Sequence, residues 1–216
     1  SYKKIIPKNQ ILYYAIEKYR GLPNHLFKIY GKKFFNGLKG NQLYNQNLNW
    51  EKLHIKTLNT LKKFALQNPK ITIIIKIKTG DKYNKNEYIN LPKNIKVINF
   101  GTGHNFLKDS KIVIGWNTTS ILEGIAANRF LLIPYFDTKH KNFKETELKL
   151  GLKKESYAIS EIDFYKKLNF LIKKNYNQNK IYNNRYSLKH HLGNLDNKAR
   201  LRLNKFIRDN LNYKYY

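Results

Sequence analysis

The sequence contains no cysteine. Disulfides, thiol nucleophiles and cysteine-held metals are thereby excluded. A reducing compartment accommodates this, and a cytoplasmic location is the expectation. Methionine is missing too, the first position included. A chain that opens at Ser1 without an initiator reads as a fragment or an excised domain, with a partner domain expected elsewhere. Acidic residues are few: 14 Asp and Glu stand against 42 Lys and Arg, a net charge of +28. No apolar run approaches the ~20 residues of a membrane-spanning helix. The longest are strand-sized, such as Ile71 to Ile75. The polar, lysine-rich start gives no expectation of a signal peptide.

The charge excess has two readings. One is nucleic-acid binding, in which Lys and Arg neutralise phosphates. The other is compositional drift. Lys, Asn, Ile and Tyr are abundant together, AT-rich codons encode all four, and the lysines run along the whole chain rather than gathering in one arm. The second reading is favoured, and no specific nucleic-acid partner is expected. Either way the surface should attract anions: a nucleotide diphosphate, an acidic saccharide or the anionic face of a membrane.

The 216 residues, 41% of them apolar, suffice for one large domain or two small ones with a real core. Gln10 to Ile16 reads as a first strand. Tyr19 to Gln46, with its glycines, proline and asparagines, reads as a long loop. A helix is predicted from a cap at Asn49 to Gln67, where Trp50, Leu53, Leu58, Leu61, Phe64 and Ala65 recur at helical spacing. Asn68-Pro69 ends it. Ile71 to Ile77 is nearly all β-branched, as buried parallel strands are.

A polar loop over Thr79 to Lys85, a strand over Ile95 to Phe100, a turn over Gly101 to His104 and a short connecting helix beginning at Phe106-Leu107 come next. Further strands are predicted over Lys111 to Gly115 and Phe130 to Pro134, with a helix from Ser120 to Ala127 between them. Helices are then expected near Phe143 to Leu150, Glu161 to Lys174 and Asn197 to Leu211. Strands alternating with helices predict an α/β fold, a Rossmann-like doubly wound parallel sheet with a helical C-terminal segment. Residues 1–216 are read as one domain, with 175–216 a loop and helix packing back on it.

Three segments carry candidate chemistry. In Trp116-Asn117-Thr118-Thr119-Ser120, small polar side chains sit where a parallel strand hands over to a helix. Backbone N–H groups and a helix dipole favour phosphate there, and Glu123 lies one turn further on to meet ribose hydroxyls. The bland alternative is a helix cap at Asn117, Thr118 or Thr119 with Glu123 as a dipole partner. Lys76 and Lys78 share a strand face near Gly80 and suit a diphosphate; ordinary exposed lysines are the alternative.

Gly101-Thr102-Gly103-His104 lacks the third glycine of a dinucleotide fingerprint. It can lie against a base or sugar, or be a plain turn. His104 is a candidate acid or ligand. His190-His191 has no convincing companions, and no metal is assigned.

The segment Ile112-Val-Ile-Gly-Trp-Asn-Thr-Thr-Ser-Ile-Leu-Glu-Gly-Ile-Ala-Ala-Asn-Arg-Phe-Leu-Leu-Ile-Pro134 resembles the donor-site segment of GT-B glycosyltransferases. More narrowly, it is similar to bacterial transferases of surface-carbohydrate and capsule biosynthesis. Asn49-Trp50 with Leu66-Gln-Asn-Pro69, the strand Ile73 to Lys78, and Leu192-Gly-Asn-Leu-Asp-Asn-Lys-Ala-Arg-Leu-Arg202 agree in order. The resemblance covers about residues 10 to 208 and corresponds to the C-terminal, donor-binding half of such enzymes. It implies a Rossmann-like half of a GT-B architecture that transfers a sugar from a nucleotide-sugar to a saccharide or lipid-linked acceptor in polysaccharide or lipopolysaccharide synthesis.

By that resemblance, Asn117, Thr118, Thr119 and Ser120 hold the donor phosphates and Glu123 the ribose or sugar. Lys76 or Lys78 would hold the leaving diphosphate. Gly101, Thr102 and His104 stay candidate substrate-binding residues from the reading of the turn itself. No metal and no cofactor beyond the donor substrate is implied. The acceptor half, which commonly supplies the base, is expected outside this chain, and activity is expected to need it. Two departures stand out: Asn197 replaces a usual glycine, and Lys76-Ile-Lys78 replaces the Lys-Pro-His of related glycerophosphotransferases. A nucleic-acid-binding domain, a sugar-nucleotide epimerase and a polyol-phosphate transferase remain rival readings.

Overall fold

The computed structural model describes residues 6–15, 40–78, 85–116, 118–136, 152, 154–176, 198 and 201–205. Six parallel strands build its sheet: β1 (Gln10–Tyr14), β2 (Thr72–Lys76), β3 (Ile95–Ile98), β4 (Ser110–Ile114), β5 (Phe130–Pro134) and β6 (Tyr157–Ala158). Four helices are interleaved: α1 (Gly40–Gln67), α2 (His104–Leu107), α3 (Ser120–Ala126) and α4 (Glu161–Lys173). The strand order is β3-β2-β1-β4-β5-β6, and each described pairing is parallel. The chain therefore winds outward from β1 to one edge and crosses back to fill the other. This is a Rossmann-like doubly wound α/β sheet, as the alternation of elements predicts.

The strands are apolar on both faces because both are covered. In β1, Tyr13 turns toward α1, where its hydroxyl meets His54 Nδ1 at 2.8 Å. Tyr14, the next residue, turns to the opposite face. Leu53, Leu61, Phe64 and Ala65 of α1 are fully buried, and α4 packs beside α1. On the far face α3 lies close to β4 and β5: a Cβ at Gly124 would stand 2.9 Å from Leu131 Cδ2 and 3.3 Å from Val113 Cβ. A residue larger than glycine would hold α3 off the sheet.

Several predicted boundaries shift. The first strand ends at Tyr14, and α1 starts at Gly40 rather than at Asn49. Gly and Asn locally disfavour helix, yet each residue added to an existing helix gains a backbone hydrogen bond. Lys85 opens a short 3₁₀ turn to Tyr88. His104 begins a helix rather than closing a turn. The two-residue strand β6 is too short for any periodicity to show. The helix expected over Phe143 to Leu150 lies outside the described residues, as do nearly all of the 175–216 segment and most of the stretch from Tyr19 to Gln46. Among the described residues, no helix is long and apolar enough to cross a membrane.

Candidate functional site

In a doubly wound sheet the strands on either side of the winding reversal send their connections to opposite faces. A crevice opens at their carboxyl ends, here between β1 and β4. Tyr14 is the last residue of β1 and pairs in register with Lys76, the last residue of β2. Their side chains therefore emerge on one face at this edge. Lys76 is buried, and its ammonium donates to the Ile77 carbonyl. Lys78 lies two residues past the strand and is exposed. Lys76 is thus buried at the end of β2, and Lys78 is exposed just beyond it.

Three side chains from distant parts of the chain converge at the end of β1. The Tyr14 hydroxyl donates to Glu123 Oε2 at 3.4 Å. His104 Nδ1 lies 3.3 Å from the same oxygen. Glu123 comes from the first turn of α3 and His104 from the start of α2, so the β3–β4 and β4–β5 connections each deliver one member. Burial, with the Glu123 carboxylate next to it, holds the Tyr14 phenol well above its ordinary range. A carboxylate as close neighbour favours the neutral phenol as donor. The His104 side chain is 69% exposed, whereas Glu123 is at 36%. The carboxylate is thus partly sheltered and the imidazole stands outward.

The turn before α3 behaves differently from its sequence reading. Trp116 is 1% exposed and packs on Tyr135 with ring centroids 5.1 Å apart. Thr118 is also buried. Its hydroxyl accepts from the Ser120 amide at 3.4 Å, and its carbonyl accepts from the Ile121 amide at 3.1 Å. The Leu122 amide goes to the Thr119 carbonyl. Thr119 sits at the helix cap with helical φ and ψ and makes no side-chain cap bond. The amides of Ser120, Ile121 and Leu122 are therefore engaged inside the turn. Thr119 is exposed and Ser120 half-buried at the opening. Asn117 lies outside the described residues.

Of the glycine turn, Gly101 adopts φ +65°, a left-handed conformation that glycine takes without strain. Gly101, Thr102 and His104 are all exposed at the same sheet edge as Tyr14. Sequence reasoning missed Tyr14 and took Gly103 only as part of the turn. Tyr14 reads as one more apolar strand residue; only its place as the last residue of the central strand marks it. Among the described residues, no group of three or more His, Asp or Glu side chains is arranged to hold a metal ion.

No protein-family model matches the chain, and no curated protein matches it. Among solved structures it is similar to the crystal structure of the glycotransferase of kitacinnamycin. That likeness has a TM-score of 0.45 and 11% sequence identity, and it covers 89% of this chain and 42% of the other. The chain thus spans less than half the length of that protein. The fold assignment rests on strand order and parallel pairing alone.

Proposed function

We propose that this chain is the nucleotide-sugar-binding domain of a metal-independent GT-B-type glycosyltransferase. It would pass a sugar to an acceptor hydroxyl in the synthesis of a surface polysaccharide or lipopolysaccharide. The observation that carries this reading is the meeting of Tyr14, His104 and Glu123 at the carboxyl edge between β1 and β4, with Lys76 beside Tyr14 in register. A carboxylate and hydroxyl donors suit a ribose or sugar, and a cation at the end of β2 suits a phosphate. The resemblance of the segment from Ile112 to Pro134 to the donor site of such transferases points the same way.

In this reading Glu123 meets the donor's ribose or sugar. The side chains of Thr119 and Ser120 at the opening of the turn, with Lys76 or Lys78, face its phosphates, and Gly101, Thr102 and His104 border it. The net charge of +28 raises the local concentration of an anionic donor and favours contact with an anionic membrane face. The acceptor half would complete the cleft, and the place of action would be the cytoplasm, at the inner face of the membrane.

Isothermal titration with UDP, GDP, CDP and CMP tests the reading. One of the four should bind, with affinity unchanged by EDTA. Glu123→Ala should weaken that affinity about tenfold, or about 1.4 kcal/mol. No binding by any of the four sinks the proposal.

A further inference from the structure

We infer that the outward side of α1 and α4 is a docking surface for an anionic lipid bilayer, with Ile162 and Phe170 as its apolar anchors. This rests on the membrane contact of the reading above and assigns that contact to one face. Single exposed apolar side chains are ordinary on any protein. Here half of the large exposed ones among the described residues lie on a single helical layer. They are Ile55 and Leu66 on α1, Ile159 just before α4, and Ile162 and Phe170 on α4. Ile162 and Leu66 are each 70% exposed and Phe170 61%.

Helical spacing turns them away from the sheet. Phe164, Leu168 and Ile172 form the buried side of α4. Ile162, Lys166, Phe170 and Lys173 follow one another at intervals of three and four, fall on the opposite side and are all exposed. On α1 the buried side is Leu53, Leu61 and Phe64. Ile55, Asn59 and Leu66 lie opposite it, with Lys62 and Lys63 between them. The two helices pack side by side, so the two stripes make one surface of apolar side chains interspersed with lysines.

Charge selects the occupant. The nearby acids are already engaged: Glu161 pairs with Lys56 at 3.8 Å and Asp163 with Lys167 at 2.8 Å. Lys62, Lys63, Lys166, Lys173 and Lys174 leave the surface positive. Lys174 Nζ lies 5.3 Å from the Phe170 ring centre, which sets an ammonium beside the aromatic anchor. At a bilayer the apolar groups enter the acyl boundary, while lysine stems run alongside and lift their charges to lipid phosphates. A second copy would bring the same positive surface, and a net charge of +28 on each chain opposes that pairing. A peptide would need a furrow, and the one between the helices is filled. Tyr165 donates to Gln67 across it, and Lys63 Nζ stands 5.7 Å from the Tyr165 ring centre. Docking on this layer leaves Glu123 accessible, because α3 lies on the other face of the sheet.

The test uses the full chain with vesicles of phosphatidylcholine alone or mixed with phosphatidylglycerol. The chain should sediment with the mixed vesicles only. Phe170→Trp should then show blue-shifted emission and quenching by lipids brominated on their acyl chains. Ala126→Trp, exposed on α3, should bind equally and stay unquenched. Lys166→Gln combined with Lys173→Gln should weaken binding roughly 30-fold. Failure to sediment with the mixed vesicles overturns the inference, as does equal binding to phosphatidylcholine alone. Binding without quenching at position 170, or with equal quenching at position 126, overturns it too, because net charge then holds the chain in no fixed orientation. An unchanged affinity in the double lysine variant has the same effect. Nucleotide titration keeps the two readings apart. Docking by a chain that binds no nucleotide refutes the donor site alone, and nucleotide binding without docking refutes this surface alone.

Discussion

A Cβ at position 103 would lie 2.4 Å from the Tyr14 hydroxyl oxygen and 2.5 Å from its Cε1. The bare backbone of Gly103 is what lets the Tyr14 ring extend from β1 past the start of α2 to Glu123. The residue before His104 and the residue that braces Glu123 therefore share one packing constraint.

Gly103→Ala should displace either the ring or α2. Overpacking of this kind costs about 1–3 kcal/mol. Urea unfolding should show a lower midpoint with an unchanged slope. A midpoint equal to that of the wild type would mean that the ring has room to move aside.

Tyr14→Phe should alter the response to alkali. Burial and the neighbouring carboxylate hold the folded-state phenol above its ordinary value. A group raised on folding contributes stability that is fully present below its unfolded pKa, about 10. That contribution is lost as pH rises from there through the folded value. The stability difference between wild type and Tyr14→Phe should therefore be level from pH 7 to 9 and shift against wild type above pH 10. Parallel curves across pH 7 to 11 would contradict the burial argument.

Arg129→Lys should be costly although the charge is kept. Arg129 is 4% exposed. Its Nε donates to the Leu107 carbonyl, and its two terminal nitrogens donate to the Lys108 carbonyl and the Tyr176 hydroxyl. A lysine ammonium cannot span that fork. The expected loss is roughly 2 kcal/mol or more by chemical denaturation. Because Leu107 ends α2, hydrogen exchange at residues 104–107 should quicken in the variant.

Asn94→Asp should destabilise more than Asn94→Ala. The Asn94 amide nitrogen lies 3.1, 3.1 and 2.9 Å from the carbonyl oxygens of Ala65, Asn68 and Ile71. Two of these carbonyls also accept backbone amides, so removing Asn94 leaves them partly satisfied. A carboxylate there would face three acceptors with nothing to donate, at a cost of roughly 1–3 kcal/mol. Thermal melts of the two variants at pH 7 rank them directly, and equal melting points would argue against the clamp.

Much of the sheet was legible because its code is local. Ile71 to Ile77 and Lys111 to Gly115 declare strands buried on both faces through their own side chains, and both observed strands lie within one residue of these spans. The helix start at Gly40 was not legible, because it depends on helix already formed downstream rather than on the residues there. The segment from Lys111 to Pro134 was legible as strand, polar turn, helix and strand. The engagement of its amides by Thr118 and Thr119 follows from how tightly the turn closes, which composition does not encode.

The sequence by itself determined the α/β class, the apolar strands, the excess of positive charge and the absence of thiol chemistry, each a property of residues near one another or of their sum. The tertiary structure decided that Tyr14 and Glu123, 109 positions apart, would touch, and that His104 would join them. The reason is topological. Only the return of the chain from β3 to β4, beside β1, brings three separate segments to one edge, and no periodicity within any of them records which neighbour it will meet.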